Sequence, residues 1–509
     1  MCPLDGFSIM EIHSSPLTTE TSRHLLRRLC FGCTLDEAQA LVGRQAKDVV
    51  DEFFEAAFDS LTPEDPWWTE VLPPPNGSTS NARRVFNQQN REWRDDITYD
   101  WFKEMYADRV SQRLTLFWHD HFVTSYDAYY YTAWGYRYKK LLRENAMGSF
   151  KRFVRAIGLD PAMLRYLDGR SNTVYAPNEN YARELLELFT MGPIGPDGTP
   201  NYSETDIREI ARALTGYITM VPQSWNARLY GPRHDKEDKT FFGQTGNFDY
   251  DDVVNILFEE RSEQIAHFIS KKMLVEFVGQ NPVEASVTEL SRVLLDSNFS
   301  LLHTFKALFS SKTFFQQAIS GSRIKSPVEI FLGHYVEMGV PPNRDQSTYL
   351  LTACSVMGQK LLAPPNVAGW PGHRNWISTN TLTLRWAYSD AILRREMSDE
   401  NMVEFARRHI QPGSTHPAVD VALSIAEHCF SIPMEWIEVP SIDEPFEGDL
   451  HELPLPSSLL DGPEYKINLV KLFLNGLPWY EWNLETDGGR DRVSQYMRRL
   501  IQFPEYQLM

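Results

Sequence analysis

The sequence predicts a mainly α protein: a large multi-helix orthogonal bundle with a small β-hairpin element. Three observations carry this reading. Apolar residues recur at helical spacing along most of the chain, as in Ile207, Ile210, Ala211 and Leu214. Capping residues stand where such runs begin, as in Thr34-Leu-Asp-Glu37. Strand signals are scarce and gather between Thr219 and Gly246.

Taken in chain order, the Thr34–Glu37 capping box opens a helix carrying Ala38, Leu41 and Val42. Residues 62–86 hold prolines 63, 66 and 73–75 beside Trp67-Trp68, which predicts a long irregular surface loop. Leu114, Phe117, Trp118 and His121 follow helical spacing, so Arg113–Phe122 reads as a helix end with His121 on the buried side. Asn178 caps a helix from Glu179 to Met191 that Gly192 stops. Ser203 and Asp206 open the next helix. Within 219–246, Trp225–Tyr230 and Thr240–Phe242 flank a polar turn and predict the hairpin. Asp249 and Asp252 open another helix, and Ser262 opens one that reaches Phe277. Further helices are predicted at 284–296, 300–316, 326–339, 347–361, 380–397, 400–409, 417–429 and near 490–502.

Composition bounds the function. Of 509 residues, 42% are hydrophobic and 23% charged, which fits a globular chain and excludes wholesale disorder. Fifty basic against 68 acidic residues leave a net charge of −18, which repels phosphate backbones and predicts no nucleic-acid partner. No apolar run is long enough for a membrane span, and no secretory leader is visible, so a cytoplasmic location is expected. The five cysteines are sparse, and Cys30-x-x-Cys33 lacks the second pair that a structural zinc needs. Residues 1–430 are expected to form the main helical domain. Residues 431–456 read as an acidic, proline-rich linker or insertion, and 457–509 as a C-terminal helical segment that docks back on the body.

Several stretches carry residue types suited to chemistry. Helical geometry turns His119 and His121 to different sides, His121 inward; imidazole serves as metal ligand or acid–base group. Asn180, Glu184 and Glu187 share one helix face, where two carboxylates near a histidine supply metal ligands; the plain alternative is a surface ladder Glu179–Arg183–Glu187. His234-Asp235 in a loop pairs an imidazole with a carboxylate that orients it, and Lys239 follows. Seven aromatics between Tyr126 and Tyr138, Trp134 among them, offer either a stacking platform or a core face. Pro364-Pro-Asn-Val-Ala-Gly-Trp370-Pro-Gly is rigid turn chemistry suited to walling a pocket or capping the core.

Together these stretches resemble one bacterial family, catalogued as domain of unknown function 1800. The resemblance rests on RHLLRRLCFGCT, RLTLFWHDHFVTS, PAMLRYLDGRSNTVYAPNENYARELLELFTMG, YSETDIREIARALTGY, RHDKEDKTFFGQTGNFDYDDVV, PPNVAGWPGHRNWI and the ending RRLIQFPEYQLM, in that order. It implies a large, mostly helical bacterial protein and brings no reaction, substrate or cofactor. Relatives are often exported. Cys30 and Cys33 depart from the family pattern, as do the tyrosine-rich stretch and the acidic insertion.

The favoured reading is an enzyme with a His/carboxylate site assisted by a divalent metal ion. His119, His234, Asp235 and Arg183 take catalytic roles, and His121, Glu184 and Glu187 bind metal. Asn180, Trp134, Trp370 and Lys239 contact a small-molecule or glycan ligand. Two alternatives stand beside it: a non-catalytic glycan- or polymer-binding accessory protein, and a metal-free acid–base hydrolase using paired carboxylates.

Overall fold

The computed structural model describes residues 10–60, 64–316, 319–439, 455–456, 459 and 462–509. Cys2 and residues 440–454 of the predicted acidic linker lie outside them. Helices dominate the described residues, and sheet is confined to two small antiparallel hairpins. The chain divides into two compact units. One comprises described residues up to Ser14, Gln45–Phe314 and Lys360–Pro371; the other comprises Ser15–Arg44, Phe315–Gln359 and the described residues from Gly372 onward. No described helix is long and apolar enough to cross a membrane.

The first unit is organised around the helix Arg109–His121, buried along nearly its whole length. Trp118 packs against Phe122, Phe150 and Phe153 with ring centroids 5.9, 5.7 and 5.3 Å apart. Phe117 reaches Phe277 of the helix Ser262–Phe277 at 5.4 Å. Each such ring contributes about 1.5–3 kcal/mol by leaving water, and tight interlocking fixes the helix axis to within side-chain dimensions. The last turn therefore delivers His119, Asp120 and His121 to defined places.

Three differences from the sequence expectations have local causes. The helix Ser80–Ala107 takes over residues 80–86 of the predicted loop, because the proline signal ends at Pro75 and the Thr79 hydroxyl accepts from the Ala82 N–H at 3.2 Å. The helix after Asn178 starts as predicted but widens into a π turn over Leu185–Thr190, where the Thr190 hydroxyl donates to the Leu185 carbonyl at 2.6 Å. The single expected hairpin resolves into two. Tyr217–Thr219 pairs with Ala227–Leu229, and Lys239–Phe241 pairs with Gln244–Gly246. Each short run closes on its nearest neighbour, which costs the least chain entropy. Phe242 and Gly243, at φ 50° and 82°, supply the positive angles that the second tight turn requires.

The second unit centres on the helix Pro327–Met338, buried on every side and opened by a Ser326–Glu329 capping box. The described C-terminal helices Glu464–Leu474 and Asp487–Leu500 belong to this unit. The Tyr496 hydroxyl donates to the Ala422 carbonyl at 2.9 Å on the helix Pro417–Cys429. Cys30 and Cys33 are buried here, and burial pushes the Cys33 thiol up to about 12, which keeps it protonated at neutral pH.

Candidate functional site

Two histidines leave the end of the helix Arg109–His121 with opposite fates. His119 is a strut. Its Nε2 accepts the Leu362 N–H at 3.1 Å, so its proton sits on Nδ1 and is donated to the Tyr138 hydroxyl at 2.9 Å. Tyr138 in turn donates to the Phe122 carbonyl. Burial drives the His119 imidazole down to about 3, so it stays neutral. The role expected of it in catalysis gives way to a bond that ties the loop at Leu362 to the helix.

His121 lies two residues on and is buried too. Its Nε2–H donates to the Phe189 carbonyl at 3.1 Å. That fixes the tautomer: the Nδ1 lone pair is left to accept from Nζ of Lys272, 3.1 Å away. Lys272 also donates to the Leu188 carbonyl at 3.5 Å and stands over the Phe268 ring at 5.2 Å. Both carbonyls belong to the last turn of the π segment, where the helix ends before supplying them with donors, so they are open to these side chains.

Asp120 completes the group. One carboxylate oxygen accepts the Trp370 N–H at 2.7 Å, and no described residue hydrogen-bonds the other. Asp120 and Lys272 lie close enough to influence each other's charge, without a direct ion pair. Burial pushes the Asp120 carboxyl well above the ordinary carboxylate range; the Trp370 N–H opposes this, while Glu276 adds to it. Burial pulls the Lys272 ammonium below the usual lysine range, against the attraction of Asp120. His121 is held well below its ordinary value by burial and then by Lys272. Glu276, one helical turn beyond Lys272, is paired with the buried Arg113 at 2.5 Å. Asp120 and Lys272 are both deeply set yet still touched by solvent, the setting in which titratable groups do chemistry.

The other predicted residues have different partners. Arg183 binds Glu204 through two contacts of 3.0 and 2.8 Å and lies 3.6 and 3.5 Å from Glu179 and Glu187. This is the surface ladder, worth about 0–1 kcal/mol per pair. Glu187 also accepts from the Tyr202 hydroxyl at 2.6 Å. Glu184 is half-buried, and burial followed by Glu187 raises its carboxyl. Among the described residues no group of three or more His, Cys, Asp or Glu side chains is placed to hold a metal ion, so His121, Glu184 and Glu187 do not come together as ligands.

Asn180 spends its amide on the Leu167 carbonyl at 3.2 Å. His234 donates from Nδ1 to the Thr215 carbonyl at 3.0 Å, not to Asp235. Burial works to raise the Asp235 carboxyl, but Arg212 at 2.8 Å and the Glu237 N–H at 2.9 Å hold it below the ordinary range. Lys239 is fully buried and donates to Asn247 at 3.1 Å and to the Phe248 and Asp235 carbonyls. Trp134 is buried with its indole N–H on the Trp225 carbonyl at 3.2 Å. Within the tyrosine-rich stretch, Tyr126, Tyr129, Tyr136 and Tyr138 are buried as well, so that stretch is mainly core. Of the predicted set, Trp370 bonds Asp120 through its N–H and sets its ring 5.3 Å from His119, and His121 joins the group through Lys272.

Lys272 was invisible to motif reasoning. Its signal was a lysine and a glutamate at i and i+4 wedged among Met273, Leu274 and Phe277, charges on an otherwise apolar face. The second unit holds a cavity of about 250 Å³ lined by Arg23, His24, Arg27, Glu427 and Tyr465 among others. Its size suits a small ligand, but its buried arginine is committed: Arg27 donates to the Phe430 carbonyl and the Ser431 hydroxyl, both at 3.0 Å. Chemistry favours the smaller group around Asp120, because there the donors and acceptors are left with capacity.

The model of one protein family, described as "Protein of unknown function (DUF1800)", matches residues 24–453. No curated protein and no solved structure matches the chain.

Proposed function

The chain belongs to the DUF1800 family, and we propose that Asp120, His121 and Lys272 form the acid–base centre of an enzymatic activity. The observation that carries this is the Lys272–His121 contact of 3.1 Å beside a carboxyl with one oxygen uncommitted. Burial drives Asp120 and Lys272 toward each other's titration range, so each exchanges protons far closer to neutrality than a surface carboxylate or lysine does. His121 fixes the direction of the amine, and the Trp370 N–H fixes that of the carboxyl. This is acid–base chemistry on a carboxyl–amine pair; it stands nearer to the metal-free alternative with paired carboxylates than to the metal-assisted reading favoured from the sequence.

Two measurements test it. Competitive acylation across pH, read peptide by peptide, gives a Lys272 titration midpoint below that of the exposed lysines, and Asp120→Asn lowers it further by removing a stabilising negative charge. Partly buried charges kept for function cost stability, so Asp120→Asn and Lys272→Met unfold at equal or higher urea concentration than the parent at pH 8. An ordinary Lys272 midpoint, together with a loss of about 3 kcal/mol in each variant, identifies a structural pair instead and sinks the reading.

A further inference from the structure

A neutral amine has two N–H groups and one lone pair. At Lys272 two acceptors are already in place, His121 Nδ1 at 3.1 Å and the Leu188 carbonyl at 3.5 Å. With both N–H groups so engaged, the lone pair takes the remaining tetrahedral direction. A lysine held this way is a preoriented nucleophile. Asp120, with one oxygen on the Trp370 N–H and the other uncommitted, sits near enough to sense the amine without pairing to it. That separation suits a group that acts on an atom bonded to Nζ rather than on Nζ itself.

We infer that Lys272 forms an imine with an uncharged aldehyde or ketone. The inference rests on the acid–base centre proposed above and names its substrate class. The charge around the amine selects against anionic carbonyl compounds: Asp120 is the charged group that acts on Lys272, and Glu276, paired with Arg113, makes itself felt at Asp120. The Phe268 ring, 5.2 Å from Nζ, offers an apolar flank.

The step balances as follows. The ammonium passes one proton through solvent to the Asp120 carboxylate, since the two are not in direct contact, and the freed lone pair bonds to the carbonyl carbon. The π pair of the C=O bond moves to oxygen, which takes a second proton from nitrogen to give the carbinolamine. Asp120 returns its proton to that hydroxyl, the C–O bond breaks, water departs, and the nitrogen lone pair closes a protonated C=N bond. One carbonyl compound and one ammonium become one iminium and one water, with no oxidant or reductant. Burial aids the first transfer by weakening the hold of Lys272 on its proton and strengthening that of Asp120.

The test is reductive trapping on the full chain. Benzaldehyde is supplied with cyanoborohydride at pH 7.5, with glyoxylate as the anionic comparator, and adducts are located by peptide mass spectrometry. The expected result is benzylation of Lys272 at about tenfold or more over any other lysine, with glyoxylate reacting less at that position. In Asp120→Asn the Lys272 adduct forms about 10²-fold more slowly. The parent adduct map decides the matter even if that variant folds poorly. Labelling spread over the surface lysines without preference for Lys272 overturns the inference. If Lys272 still shows its lowered titration midpoint in that case, the imine step alone falls; an ordinary midpoint removes the acid–base centre with it.

Discussion

Gly369 approaches Asp120 so closely that a Cβ on the glycine would stand 2.3 Å from the carboxylate oxygen. The backbone there has φ +89°, which side chains rarely adopt. Both facts serve one purpose, since the next residue, Trp370, delivers the N–H that holds Asp120 at 2.7 Å. Gly369→Ala is therefore expected to lose about 2–4 kcal/mol, part from backbone strain and part from overpacking. Urea unfolding measures it. A loss under about 0.5 kcal/mol would mean that the Pro364–Gly372 loop does not close on the helix end.

His119 predicts a pH dependence of stability. Its folded value lies near 3, far below its ordinary 6.5, because burial disfavours the charged ring. Below pH 6.5 the unfolded chain takes up a proton that the folded chain refuses. The stabilisation is thus complete above 6.5 and is lost as pH falls toward 3. The slope is about 1.4 kcal/mol per pH unit for each such histidine. His121 adds a slope of the same sign. His119→Gln keeps a neutral polar side chain and should flatten the fall between pH 6.5 and 5 by about 1.4 kcal/mol per unit. Identical slopes in parent and variant would show that His119 titrates normally in the fold.

The helices were legible because their signals are local. The Ser203–Asp206 and Asp249–Asp252 capping boxes stand where the sequence put them, and the apolar face of Ile207, Ile210 and Ala211 is buried. What escaped depends on distant partners. His121 was read correctly as inward-facing, yet its neighbour Lys272 lies 151 residues on, and no spacing rule connects them. The ladder Glu179–Arg183–Glu187 is visible in the sequence, but not the further partner of Arg183, Glu204, which comes from the helix Glu204–Ala213. The carbonyls at the end of the π turn likewise have non-local partners: Leu188 and Phe189 accept from Lys272 and His121, on the helices Ser262–Phe277 and Arg109–His121.

Lys239 separates a structural from a ligand-binding role. The sequence offered it as a substrate contact, whereas its ammonium is fully buried and donates to the Asn247 amide oxygen at 3.1 Å, the Phe248 carbonyl at 3.0 Å and the Asp235 carbonyl. Three donors meet three acceptors, so the charge is solvated by the second hairpin and its flanks. Lys239→Met removes all three bonds at once and leaves the buried Asp235 carbonyl, the half-buried Phe248 carbonyl and the Asn247 amide oxygen without this donor. The expected cost is about 3 kcal/mol. Lys239→Arg gives little rescue, because a planar fork cannot reproduce a tetrahedral set of donors in the same volume. Hydrogen exchange should show faster opening of 235–248 in both variants before the rest of the first unit responds. Unchanged stability in Lys239→Met would instead return Lys239 to the class of side chains kept for a ligand.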